Sequence, residues 1–113
     1  MATAATEITS PYDGQEYTYT APVTVPIDSP FGSTTESDGQ FLVVVRYYNF
    51  NGYEEREFVA TVMSGSWWLE PESPQPEAFG LDDVSWEVKV YAYVNETKGA
   101  LKASAAGEII PGA

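Results

Sequence analysis

Between Val84 and Val94 the chain alternates without a break: Val84, Trp86, Val88, Val90, Ala92 and Val94 share one parity, and Ser85, Glu87, Lys89, Tyr91 and Tyr93 share the other. Side chains of an extended strand point alternately to opposite faces, so the stretch reads as a β-strand whose first set belongs to a core. The same grammar recurs elsewhere. Phe41 to Tyr48 is the most apolar segment, with Phe41, Val43, Val45 and Tyr47 inward and Arg46 outward. Asn49-Phe50-Asn51-Gly52 supplies turn chemistry, and Glu55 to Val62 returns with Phe58, Ala60 and Val62 inward. After Ser64-Gly65 comes a short strand, Ser66 to Leu69.

Downstream of the long strand, Asn95-Glu96-Thr97-Lys98-Gly99 reads as a turn with Gly99 suited to positive φ. Ala100 to Ala105 then folds back with Leu101, Ala103 and Ala105 inward. Upstream, Pro22 to Ile27 alternates Val23, Val25 and Ile27 against Thr24 and Pro26, and the proline places that strand at an edge or a bulge. The segment Glu70 to Glu77 carries three prolines and reads as an extended surface loop. With pieces around Ile8 and Tyr17, the pattern predicts seven or so antiparallel strands, spaced as in a β-sandwich. No stretch shows a helical stripe.

Composition narrows what such a domain can do. At 113 residues the chain fits one domain. The 17 Asp and Glu against five Lys and Arg, with no His, give a formal charge of −12. Arg46, Arg56, Lys89, Lys98 and Lys102 are scattered, which argues against a nucleic-acid partner and against anionic membranes. No apolar run is long enough to span a bilayer, and Met1 to Thr6 lacks the cationic start of a signal peptide, so the chain is expected to stay in the cytoplasm unless carried out. Without cysteine there is neither a disulfide nor a thiolate site. With no His and no Cys, a Ser or Asp nucleophile would stand without an activating partner, and a domain this small has little material for a cleft. The expectation is a non-catalytic module without a cofactor.

Several short pieces resemble, in order, the bacterial immunoglobulin-like domains found as repeats in surface adhesins and as modules on phage virion proteins. Ile8-Thr9-Ser10-Pro11-Tyr12-Asp13-Gly14 is similar to the opening of such repeats, and Gly65-Ser66-Trp67 resembles their glycine-then-tryptophan strand. Leu81-Asp82-Asp83-Val84-Ser85-Trp86 sits where their long penultimate strand begins, and Val88 to Ser104 resembles the closing hairpin. The resemblance implies an immunoglobulin-like β-sandwich. It implies a virion decoration or fibre-type accessory protein at the virion surface, with a capsid or tail protein as partner. The alternative is a spacer repeat of an adhesin at the bacterial cell surface, packed against neighbouring repeats. The chain departs from the family in the pair Trp67-Trp68 and in the proline-bearing loop.

The candidate binding residues follow from the alternation. Trp67 and Trp86 fall on apolar faces and read as core. Trp68 is then turned outward, either as a contact residue or covered by the proline loop. Tyr91 and Tyr93, two apart on one face, could form an aromatic strip for a protein or a cell-surface glycan, and with Trp68 they raise a carbohydrate-binding module as a further alternative, although strand propensity alone also accounts for the tyrosines. Glu54, Glu55 and Glu57 with Asp13, Asp38, Asp82 and Asp83 raise calcium as a possibility, but no spacing matches a calcium loop and they read as solvated turns.

Overall fold

The computed structural model describes residues 6–19, 29–36, 38–69 and 83–111. They form eight strands, and no helix occurs among the described residues. In chain order these are β1 (Thr6–Ser10), β2 (Tyr17–Tyr19), β3 (Phe31–Thr34), β4 (Asp38–Asn49), β5 (Gly52–Met63), β6 (Ser66–Leu69), β7 (Asp83–Val94) and β8 (Thr97–Pro111). The protein is therefore all-β, as the alternation requires. The expected strand Pro22 to Ile27 and the loop Glu70 to Glu77 lie outside the described residues.

Tight turns set the register of the hairpins. Between β4 and β5, Asn49 faces Gly52, whose φ of 139° is open only to glycine, and the Asn49 side chain accepts the Asn51 N–H at 2.8 Å. Ser64 and Gly65, at φ 53° and 85°, turn β5 into β6. Asn95 and Glu96, at φ 52° and 60°, turn β7 into β8 with Val94 opposite Thr97. Two left-handed residues in a two-residue loop match the twist of the strands they join. This turn thus uses Asn95 and Glu96, and Gly99, expected to supply the positive φ, lies within β8.

The core is built on β4, which pairs with β5 on one side and β7 on the other along most of its length. Phe41, Val43, Val45 and Tyr47 point inward, with Phe58 and Ala60 of β5 and Trp86, Val88 and Val90 of β7, all buried. Val84 and Val94, expected in the same core, are 38% and 66% exposed because they sit at the ends of β7. Leu101 is a second correction. It was expected inward but is 53% exposed. The pairing of β7 with β8 steps from Val90↔Ala103 to Tyr91↔Leu101, so Lys102 is an extra residue and Leu101 comes to lie opposite an outward tyrosine. Ala103 and Ala105, before the step, keep the inward parity.

The strands follow the order β1-β3-β6-β5-β4-β7-β8-β2, and the sheet curls so that β1 also contacts β8. Trp67 of β6 consequently packs edge-to-face on Phe41 of β4, with ring centroids 6.3 Å apart. Residues 6–19 begin at one end of the strand order and finish at the other. Having crossed without reversing direction, β2 pairs with β8 in parallel, the exception to the antiparallel expectation.

Two similar slots hold this N-terminal segment. The Trp67 indole N–H donates to the Glu7 carbonyl at 3.0 Å, and the Trp86 indole N–H donates to the Gln15 carbonyl at 2.8 Å. Each tryptophan faces a glycine on the next strand, Gly32 for Trp67 and Gly107 for Trp86. A Cβ at Gly32 would overlap Glu7 O and approach Trp67 Nε1 to 2.8 Å; at Gly107 it would overlap Gln15 O and approach Trp86 Nε1 to 2.6 Å. Glycine is thus required at both positions for the main chain to come close enough to the indole.

Candidate functional site

The outward side chains divide into three surfaces. On β6, Trp67 and Leu69 take the inward positions, which turns Trp68 outward as the alternation predicts. Its cross-strand partners are Phe31 on β3 and Thr61 on β5. Trp68 and Phe31 are 37% and 46% exposed, so two large aromatics stand side by side on an outer face. Phe31 had not been singled out in the sequence, because Phe31-Gly32-Ser33-Thr34 lies among turn-forming residues and reads as loop. Its register opposite Trp68 appears only once β3 is placed.

Tyr91 and Tyr93 share the outward face of β7, and both are half-buried. Tyr91 stands between Leu42 of β4 and Leu101 of β8, and Lys98 Nζ lies 4.8 Å from its ring centroid. That ring face already holds a cation from its own chain. The tyrosines do not join Trp68. β6 and β7 are separated by β5 and β4 in the sheet, and the curl that faces Trp67 toward Phe41 turns their outward faces away from one another. The structure therefore places Tyr91 and Tyr93 together and Trp68 elsewhere, with Phe31.

A polar network occupies the other half of the β5-β4-β7 face. Arg46 Nε pairs with Glu55, and Arg46 also donates to the Tyr48 hydroxyl at 3.3 Å. That hydroxyl donates in turn to Glu87 at 2.9 Å, and Lys89 lies 3.7 Å from the same carboxylate. The guanidinium also lies 4.4 Å from the centroid of the Tyr53 ring. Tyr48 and then Glu55 hold the guanidinium pKa above its already high ordinary value, so Arg46 stays charged near neutral pH and adds no pH dependence there. The network ties three adjacent strands together across their outer face.

Two of the acidic residues raised for calcium have partners within the chain, and Asp82 lies outside the described residues. Glu55 is committed to Arg46, and the Asp13 carboxylate accepts the Ala106 N–H at 3.0 Å while Gly14 N–H donates to Ala106 O at 2.7 Å. Among the described residues no group of three or more Asp or Glu is arranged to hold a metal ion. Nor does a pocket open among the described residues. Among the described residues Phe31 and Trp68 are exposed aromatics paired across adjacent strands, while Phe50 and Tyr53, 88% and 53% exposed, lie at the β4–β5 turn.

No protein-family model matches the chain, and no match is found among curated proteins or solved structures.

Proposed function

We propose that this chain is a non-catalytic attachment and display module with an immunoglobulin-like sandwich, serving as a virion decoration or fibre-type accessory protein. The strand order supports the sandwich. If the curled sheet is taken as two layers, β1-β3-β6 and β4-β7-β8 with β5 joining them, the N-terminal segment contributes one strand to each layer, a common device of immunoglobulin-like domains. The virion setting rests on the resemblance of the short pieces quoted above and on the soluble, strongly acidic surface, which resists non-specific association.

The observation that carries the attachment role is the exposed Phe31 and Trp68 pair. Aromatic side chains gathered on one outer face are the anchors by which protein surfaces bind, and one such tryptophan at the centre of a contact contributes about 2 kcal/mol or more. In a molecule with charge −12, an apolar anchor gives a partner a contact that does not depend on opposite charge. The partner is a capsid or tail protein.

The test is immunogold labelling of purified virions with antibody to this chain, followed by occupancy measurements on particles carrying Trp68→Ala. We expect labelled particles, a drop in occupancy of ten-fold or more, and an unchanged melting temperature for the isolated variant. Unlabelled virions would remove the virion role. Labelled virions with normal Trp68→Ala occupancy would remove the aromatic pair as the anchor.

A further inference from the structure

The two halves of the N-terminal segment are held unequally. β2 buries Tyr17 and Tyr19, with Tyr17 edge-to-face on Trp86 at 6.0 Å, and Pro11 at the corner is fully buried. In β1 no side chain is fully buried; half-buried and exposed positions simply alternate. What holds β1 is mostly main chain: its ladder with β3, and the Glu7 carbonyl in the slot made by Gly32 and Trp67. Its side chains add the half-buried Ile8, packed against the core, and a contact between the hydroxyls of Thr6 and Thr34, 3.0 Å apart. The ladder itself slips in register between Ile8 and Ser10, just before the corner.

We propose that the exposed side of β3, with its Gly32 and Trp67 slot, is a strand-accepting site that can take β1 of a second copy of this chain in place of its own. A second copy is the occupant because it reproduces the contacts made within the molecule: the same ladder, the same carbonyl at the indole, Ile8 against the core, and the Thr6 hydroxyl beside that of Thr34, which is 7% exposed and also accepts the Glu36 N–H. A foreign strand supplies the carbonyl without this combination of Thr6 and Ile8 side chains. β2 stays docked on its own β8 and acts as the fixed end, so the exchanging part is limited to Thr6–Ser10 and pivots at the buried Pro11. Since the contacts are equivalent in either arrangement, the balance is set by local concentration, and copies held side by side on an assembled surface favour exchange. The inference goes beyond the proposed attachment role and holds whatever surface gathers the copies.

The chain contains no cysteine, which makes the exchange directly trappable. Full-length Thr6→Cys and ¹⁵N-labelled Thr34→Cys variants are mixed in equal amounts in reductant, incubated, oxidised and analysed by mass without reductant, the label separating mixed from like dimers. Exchange brings position 6 of one variant against position 34 of the other. The expected result is that dimers joining the two variants make up nearly all of the disulfide-linked dimer, against about half for random pairing, with the dimer-to-monomer ratio rising about tenfold for a tenfold rise in concentration before trapping. Because position 34 lies in the interior, the pair Glu7→Cys and Ser33→Cys, exposed register partners, repeats the test should Thr34→Cys fail to fold by circular dichroism. Mixed dimers at no more than the random proportion in a folded pair, at every concentration, would overturn the proposal.

Discussion

Trp86 and Gly107 show how much of this fold rests on single residues. The indole fills the core and its N–H closes on the Gln15 carbonyl, while Gly107 leaves the room for that carbonyl to approach. Two substitutions separate these roles. Trp86→Ala removes both the packing and the donor and is expected to cost about 3 to 5 kcal/mol. Trp86→Phe keeps most of the packing but strands the carbonyl, at about 1 to 3 kcal/mol. Gly107→Ala should cost roughly 1 to 3 kcal/mol by forcing the N-terminal segment off the indole. Urea melts of the three variants check the ranking, and a neutral Gly107→Ala would show that the segment is not held as described. The sequence did signal the tryptophans as core, through parity. It did not show what they bond to, since Gln15 and Trp86 are 71 positions apart. The available signal was a glycine inside a strand, which marks close backbone approach, but it names no partner.

At the level of strands, alternation was most informative where the register runs unbroken, as in β4, β5 and the first part of β7. It failed in β8. Lys102 is the extra residue that flips the parity, and it forms an ion pair with Glu36 at 3.0 Å. Nothing local in Ala100 to Ala105 announces the insertion, because a bulge is a property of two paired strands and a local sequence holds only one of them. The consequence is measurable: Leu101→Thr should change stability by no more than about 0.5 kcal/mol, whereas an inward leucine replaced by threonine would cost several times that. A second feature of the strands is the edge of β5. β6 covers only Ala60 to Met63, leaving the earlier half of β5 paired on one side among the described residues. That half reads Glu54-Glu55-Arg56-Glu57, four charges in a row that discourage another strand from docking. Replacing Glu54 and Arg56 with valine should promote association, visible as concentration-dependent light scattering, while leaving the monomer folded.

For the whole molecule, two properties dominate: a charge of −12 on a small domain, and a curled sheet whose two ends are joined by residues 6–19. Self-repulsion of that charge opposes the compact state, so the melting temperature should rise as sodium chloride is added up to the point where the Debye length falls below the spacing of surface charges. The candidate site was half legible at this scale. Trp68 was placed outward by parity alone, but its neighbour Phe31 and its separation from Tyr91 and Tyr93 depend on strand order and curl, which alternation does not encode. The closure by residues 6–19 was not legible either, since it requires knowing that one short segment serves both ends of the strand order. Its direct consequence is that two of the three tryptophan indole protons are bonded to the N-terminal main chain, and these bonds carry the closure. Solvent exchange of the indole N–H protons, followed by NMR in deuterium oxide, reads this without any substitution. The expected result is slow exchange for Trp67 and Trp86 and fast exchange for Trp68; equal exchange of all three, or protection of Trp68 in place of either partner, would contradict it.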